Sequence, residues 1–177
     1  MINYAQILET LFYVVGGIVV MYPLLAYILS RLFVPMLGFT ETAIPPRLPR
    51  GMLEKIYEFE EKSHTKREYI DKVWRFMTTR YHGKRGEFLK HPSVLWWNLA
   101  HSWKKTGFLP CTMMTYMARI LLVKSKFFTK KDVRTYTHLH GFVLHQCLQV
   151  RVEDGWIYVD PWAEHLGYGI GRRLEVF

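Results

Sequence analysis

The stretch "FVLHQCLQVRVEDGWIYVDPW", Phe142 to Trp162, decides the fold. Two runs rich in β-branched and aromatic residues flank Glu153-Asp154-Gly155, a composition that predicts a strand, a hairpin turn and a second strand running back. Just upstream, "VRTYTHLHG" from Val133 has the same character and predicts one more strand. Earlier still the period changes from two to that of a helix. "CTMMTYMARILLVK" reads as a helix from Cys111, "HPSVLWWNLAHSWKK" as a helix starting near Pro92 or Ser93, and "HTKREYIDKVWRFMTTRY" as a helix capped by Thr65 with Glu68 three residues on, a capping-box pattern. In that last helix Ile70, Val73, Trp74 and Met77 form the expected buried stripe, and "HGKRGE" after it is expected as a loop. Helices followed by strands in one unit predict an α+β domain, with helices packed on an antiparallel sheet.

The other decisive stretch lies at the opposite end. "TLFYVVGGIVVMYPLLAYILS", 21 residues between Glu9 and Arg31, carries no charge. At ~1.5 Å per residue it suffices for a hydrocarbon core of ~30 Å, so it is expected to be a transmembrane helix. No Lys or Arg precedes it, which argues against a signal peptide. Arg31, Arg47, Arg50 and Lys55 follow it, so the positive-inside rule predicts a single-pass protein whose C-terminal body is cytoplasmic. "FVPMLGFTETAIPPRLPRG" then holds Pro35, Pro45, Pro46 and Pro49, expected to make an extended tether. The organisation read from the sequence is therefore an anchor over 1–36, a Pro-rich linker over 37–50 and a globular domain over 51–177.

The net charge is +9, and its basic residues are spread along the chain with no nucleic-acid recognition motif. No nucleic-acid partner is expected; attraction to anionic lipid headgroups is the better account of the charge. Two cysteines, Cys111 and Cys147, do not make a disulfide scaffold, and free thiols fit a reducing compartment.

Cys111 follows Pro110, a residue favoured at a helix start. There the unsatisfied amides and the positive end of the helix dipole favour a thiolate. Helical spacing from Cys111 through Met114, Ala118 and Leu121 places the sulfur at the end of a buried stripe. A cysteine nucleophile needs a base to take its proton and return it to the leaving group, and that base needs an orienting acceptor. His145 fits the first role. Alternation along its strand puts His145, Cys147 and Gln149 on one face. Asp160, at the end of "WIYVDP", fits the second. A two-residue turn at Asp154-Gly155 would pair Gln149 with Asp160, and a four-residue turn would pair Cys147 with it; both put Asp160 on the face of His145, whereas a three-residue turn would flip it away.

These residues carry a resemblance. The segment from Cys111 to Pro161 resembles the transglutaminase-like superfamily of papain-related cysteine enzymes: a cysteine opening a helix, a histidine on a following strand, and "GWIYVDP", similar to that superfamily's glycine-tryptophan strand ending in Asp-Pro. The chain differs at Pro110, where the superfamily usually has glycine or a small residue, and at Cys147, where an aromatic is usual. The resemblance implies a papain-like/transglutaminase-like domain with Cys111 as nucleophile, His145 as general base and acid, and Asp160 as the orienting carboxylate. It implies acyl transfer through a thioester at an amide bond, whether as peptidase, deamidase or transamidase, with a protein or peptide substrate near the membrane. The alternative is a non-catalytic, membrane-tethered interaction module of the same fold. No cofactor is called for. "HLHGFVLHQC" holds zinc-type ligands in His138, His140, His145 and Cys147 but matches no standard metal spacing, so no metal is expected either. An oxyanion hole would use the Cys111 amide plus a second donor, for which the indoles of Trp96, Trp97 and Trp103 are candidates.

Overall fold

A computed structural model describes residues 4–32, 41–84, 87–91, 93–94, 97–140 and 143–172. The chain divides into two units, 1–40 and 41–177. In the first, helix α1 runs over Tyr4–Leu32, ~43 Å long at 1.5 Å per residue. Its stretch Tyr4–Tyr22 is long and apolar enough to cross a membrane, and the side chains there are exposed on every side, Phe12 and Val19 among them. A helix that is apolar all round cannot be satisfied by water on any face.

The second unit is α+β. Its elements in order are α2 (Arg50–Glu61), α3 (Lys66–Arg80), β1 (Tyr81–His82), α4 (Glu87–Lys90), α5 (Leu99–Lys104), β2 (Gly107–Phe108), α6 (Cys111–Val123), β3 (Val133–His140), β4 (Val143–Val152) and β5 (Gly155–Val159), closed by a 3₁₀ turn over Trp162–Leu166. Strands β3, β4 and β5 form an antiparallel sheet in that order, and β1 pairs with β2 in parallel.

Helix α2 was not anticipated as a separate element, although Met52, Ile56 and Phe59 recur at helical spacing and are its buried residues. Helix α3 starts as the capping box requires: Thr65 Oγ1 accepts from the Glu68 amide at 3.2 Å, while the Glu68 carboxylate reaches back to the His64 amide at 2.8 Å. Ile70, Val73 and Met77 are fully buried, joined by Tyr69, whereas Trp74 is only half-buried. The phenol of Tyr69 donates to Leu121 O at 2.8 Å and ties α3 to α6.

The helix expected from Pro92 or Ser93 is a correction. Residues 93–94 form a single 3₁₀ turn and the helix itself begins only at Leu99. Asn98 is the reason: its side chain accepts from the His101 amide at 2.9 Å, and a residue that binds backbone in this way favours a helix start over a helix interior. Pro92, Leu95 and Trp96 lie outside the described residues, as do Arg85 and Gly86 of the expected loop.

Helix α6 is the core of the unit. Every residue from Met113 to Leu122 is buried, so the single stripe expected from Cys111 through Leu121 broadens into burial on all sides. Even Arg119 is buried: its guanidinium pairs with Glu41 and donates to Thr42 O at 2.8 Å, while Tyr116 donates to Ala43 O at 2.9 Å. The proline-flanked segment after residue 40 is thus bound along α6 before α2 begins. Against α6 lies the sheet, whose Val133, Leu148, Val150 and Val159 are buried and share one face by register.

Candidate functional site

The hairpin register fixes the first half of the site. Leu148 pairs with Val159 and Val152 with Gly155, so Glu153 and Asp154 form the connection and the next position on β4, Cys147, falls level with Asp160. The pairing is the one expected from a four-residue turn, but a two-residue connection one position earlier than the expected Asp154-Gly155 produces it. Asp160 is therefore two residues along from His145 on the same face, a diagonal that a carboxylate and an imidazole together can span. The His145 Nε2 to Asp160 Oδ2 distance is 2.5 Å, and both side chains are buried. The other carboxylate oxygen, Oδ1, accepts from the Ala163 amide at 3.2 Å, an Asx-type contact made possible by the turn at Pro161. With one oxygen held by the backbone, the other is aimed at the ring.

The second half is delivered by α6. The chain reaches it through β2, where Gly107 takes a φ of 100°, a conformation open to glycine, and where the Leu109 amide donates to His82 O at 3.2 Å. Pro110, extended at φ −67° and ψ 153°, then caps the helix and its carbonyl accepts from the Met113 and Met114 amides, each at 3.1 Å. The amides of Cys111 and Thr112 precede the first intrahelical bond and have no acceptor among the described residues. One turn on, Thr115 Oγ1 donates to Gln146 O at 2.8 Å, buried between helix and strand. That bond sets the contact: one turn back from Thr115 is Cys111, and one residue back from Gln146 is His145. The Cys111 side chain is close enough to the His145 imidazole to favour the ring's protonated form. Since Nε2 is committed to Asp160, Nδ1 is the nitrogen left for the sulfur.

The electrostatics of His145 record this arrangement. Burial is the largest influence and favours the neutral ring, but the hydrogen bond to Asp160 and the Cys111 sulfur beside the ring, with their negative charges, outweigh it and raise the imidazole from 6.5 to about 10. At neutral pH the ring holds its proton between a carboxylate and a sulfur. Cys111 is half-buried and Cys147 buried, and neither is in a disulfide.

Aromatic rings fix the imidazole further. His138, opposite His145 in the β3–β4 register and itself buried, meets it edge-to-face at 5.3 Å, and Trp162 packs on it at 4.9 Å. Trp162 in turn occupies the space beside Gly83, where any Cβ would stand 2.4 Å from its indole. Sequence reasoning missed these contacts. Thr115 stands four residues from Cys111 and so could have been found from helical spacing; Gly83 left no readable signal.

Of the residues weighed as metal ligands, His138 and His145 are ring neighbours and Tyr136 stacks on His138 at 5.4 Å, while the His140 side chain lies outside the described residues. Among the described residues no group of three or more His, Cys, Asp or Glu is disposed to hold a metal. Of the indoles considered for an oxyanion hole, that of Trp103 lies against Phe76 and Gly51, in the contact between α2 and α3, and Trp97 packs on His101. No protein-family model, curated protein or solved structure matches this chain.

Proposed function

We propose that the chain is a membrane-anchored cysteine enzyme of the transglutaminase-like, papain-related kind, transferring acyl groups from amide bonds through a thioester. One observation carries the reading: an imidazole on a strand is hydrogen-bonded to a carboxylate just past the end of the next strand and feels a thiol at a helix start, although the three come from separate parts of the chain. Cys111 is the nucleophile. His145 already holds the proton given up by the thiol, so a thiolate stands beside an imidazolium before the substrate arrives, and Asp160 stabilises and orients that imidazolium. Attack on an amide carbonyl forms the carbon–sulfur bond and places negative charge on the oxygen, which the free Cys111 and Thr112 amides and the helix dipole favour. Collapse breaks the carbon–nitrogen bond, and the His145 proton goes to the departing amine. Water, deprotonated by the same imidazole, then cleaves the thioester to a carboxylic acid and restores the thiolate beside the imidazolium; an amine in place of water would give transamidation.

The anchor supports the location. Helix α1 spans the bilayer once in this reading, and the basic residues on its C-terminal side place the body in the cytoplasm, with protein or peptide substrates at or near the membrane. The experiment uses an activated acyl ester with the full chain. Peptide mapping is expected to find the acyl group on Cys111, absent in Cys111→Ser and strongly diminished in His145→Gln. Acylation spread equally over exposed nucleophiles, indifferent to His145, would support the non-catalytic interaction module instead.

A further inference from the structure

Helices α2 and α3 enclose an open groove of about 450 Å³ that the acyl-transfer chemistry does not use, lined by Glu58, Phe59, Lys62, Lys72, Arg75, Phe76, Thr79 and Arg80. Its floor is aromatic: the rings of Phe59 and Phe76 meet edge-to-face at 5.7 Å. Its rim is cationic, with four basic side chains against a single carboxylate. That carboxylate is already shared, since Glu58 pairs with both Lys55 and Lys62 and is held down at about 2 by those two contacts. Arg80 has no acidic partner among the described residues; it donates to Trp103 O at 2.6 Å and lies over the rings of Phe76, Tyr81 and Trp103. Lys72 and Arg75, a turn apart on α3, make no ion pair among the described residues. The acids nearest in sequence are turned elsewhere, Asp71 toward Arg67 at 3.9 Å and Glu68 onto the His64 amide.

We propose that this groove is a docking site for the headgroup of an acidic phospholipid, with Lys72, Arg75, Lys62 and Arg80 around the phosphate and the aromatic floor beneath the apolar part of the lipid. The inference rests on the reading of α1 as a membrane anchor, which selects lipid over other anionic partners. Only residues 33–40 separate α1 from the body, about 30 Å of chain at full extension. A lipid surface is therefore present at high effective concentration, and weak individual charge contacts suffice there. Lipid capture would hold the body flat against the bilayer and restrict its substrates to membrane-proximal segments.

Hydrogen exchange of the full chain in nanodiscs tests this. Discs of phosphatidylcholine alone are compared with discs containing phosphatidylserine. The proposal expects slower exchange over residues 50–80 in the anionic discs, reversed by added salt, and absent in Lys72→Glu/Arg75→Glu, whose exchange over α6 should be unchanged if the variant is folded. Protection of α1 in both disc types reports the anchor separately. If α1 is protected but 50–80 respond equally to both lipids, the docking site is refuted and the anchor stands. If α1 itself exchanges freely, the anchor reading fails and the docking proposal with it. Equal protection of 50–80 by inorganic phosphate in neutral discs would make the groove a site for free anions and overturn the lipid assignment.

Discussion

Burial alone would strip the proton from His145, yet Asp160 and Cys111 hold it on to about pH 10. The sign of the consequence is definite. A histidine raised in the folded state adds stability that is complete below its ordinary value of 6.5 and is lost as pH rises through about 10. Asp160→Asn keeps the shape of the partner and removes its charge, so burial regains weight and the imidazole midpoint falls from about 10 toward or below 6.5. Nitrogen-15 NMR of the histidine rings, titrated in wild type and variant, measures that fall directly. An unchanged midpoint would mean that the carboxylate does not govern the ring. At this scale the sequence was informative, because Cys111, His145 and Asp160 are the chemistry-bearing residues of a helix head and two strand positions. Trp162 and His138 were not legible as partners of the ring, since an aromatic contact depends on packing and leaves no spacing of its own.

Strand parity is what made the site readable at the level of elements. Two of the three registers open to the sequence placed Asp160 on the face of His145, and the one adopted is the nearer of these, level with Cys147. Helix α6 is seated by a contact that parity could not supply, the buried bond from Thr115 Oγ1 to Gln146 O. Thr115→Val removes the donor of this buried bond and is expected to cost about 1–2 kcal/mol of stability, measured by denaturant unfolding. It is also expected to slow Cys111 alkylation more than that loss explains, since the helix head is then free to drift from His145. The segment around Trp97 shows the limit of periodicity: its apolar residues continue a helical pattern across Asn98, but that side chain binds the His101 amide and starts the helix there. Capping chemistry outweighed hydrophobic spacing.

Across the whole molecule, the contrast in surface between the two units sets the biology. Helix α1 exposes large apolar side chains along a stretch long enough to cross a membrane, whereas the second unit buries its own core. Protease added to intact vesicles or cells is expected to spare the body and digest it only after permeabilisation; digestion from outside would invert the proposed orientation. The length and apolar composition of α1 were plain in the sequence. The binding of Glu41, Thr42 and Ala43 along α6 was not, because it depends on Arg119 being buried in a helix otherwise read as apolar on one face. The central claim, a proton passed from sulfur to imidazole under the control of a carboxylate, is tested most directly by the alkylation rates of the two cysteines in the intact anchored chain at neutral pH. The account predicts that Cys111 reacts much faster than the buried Cys147, that His145→Ala slows Cys111 by at least ~10-fold with Cys147 unaffected, and that Asp160→Asn lies between. A Cys111 rate unchanged by His145→Ala would contradict it.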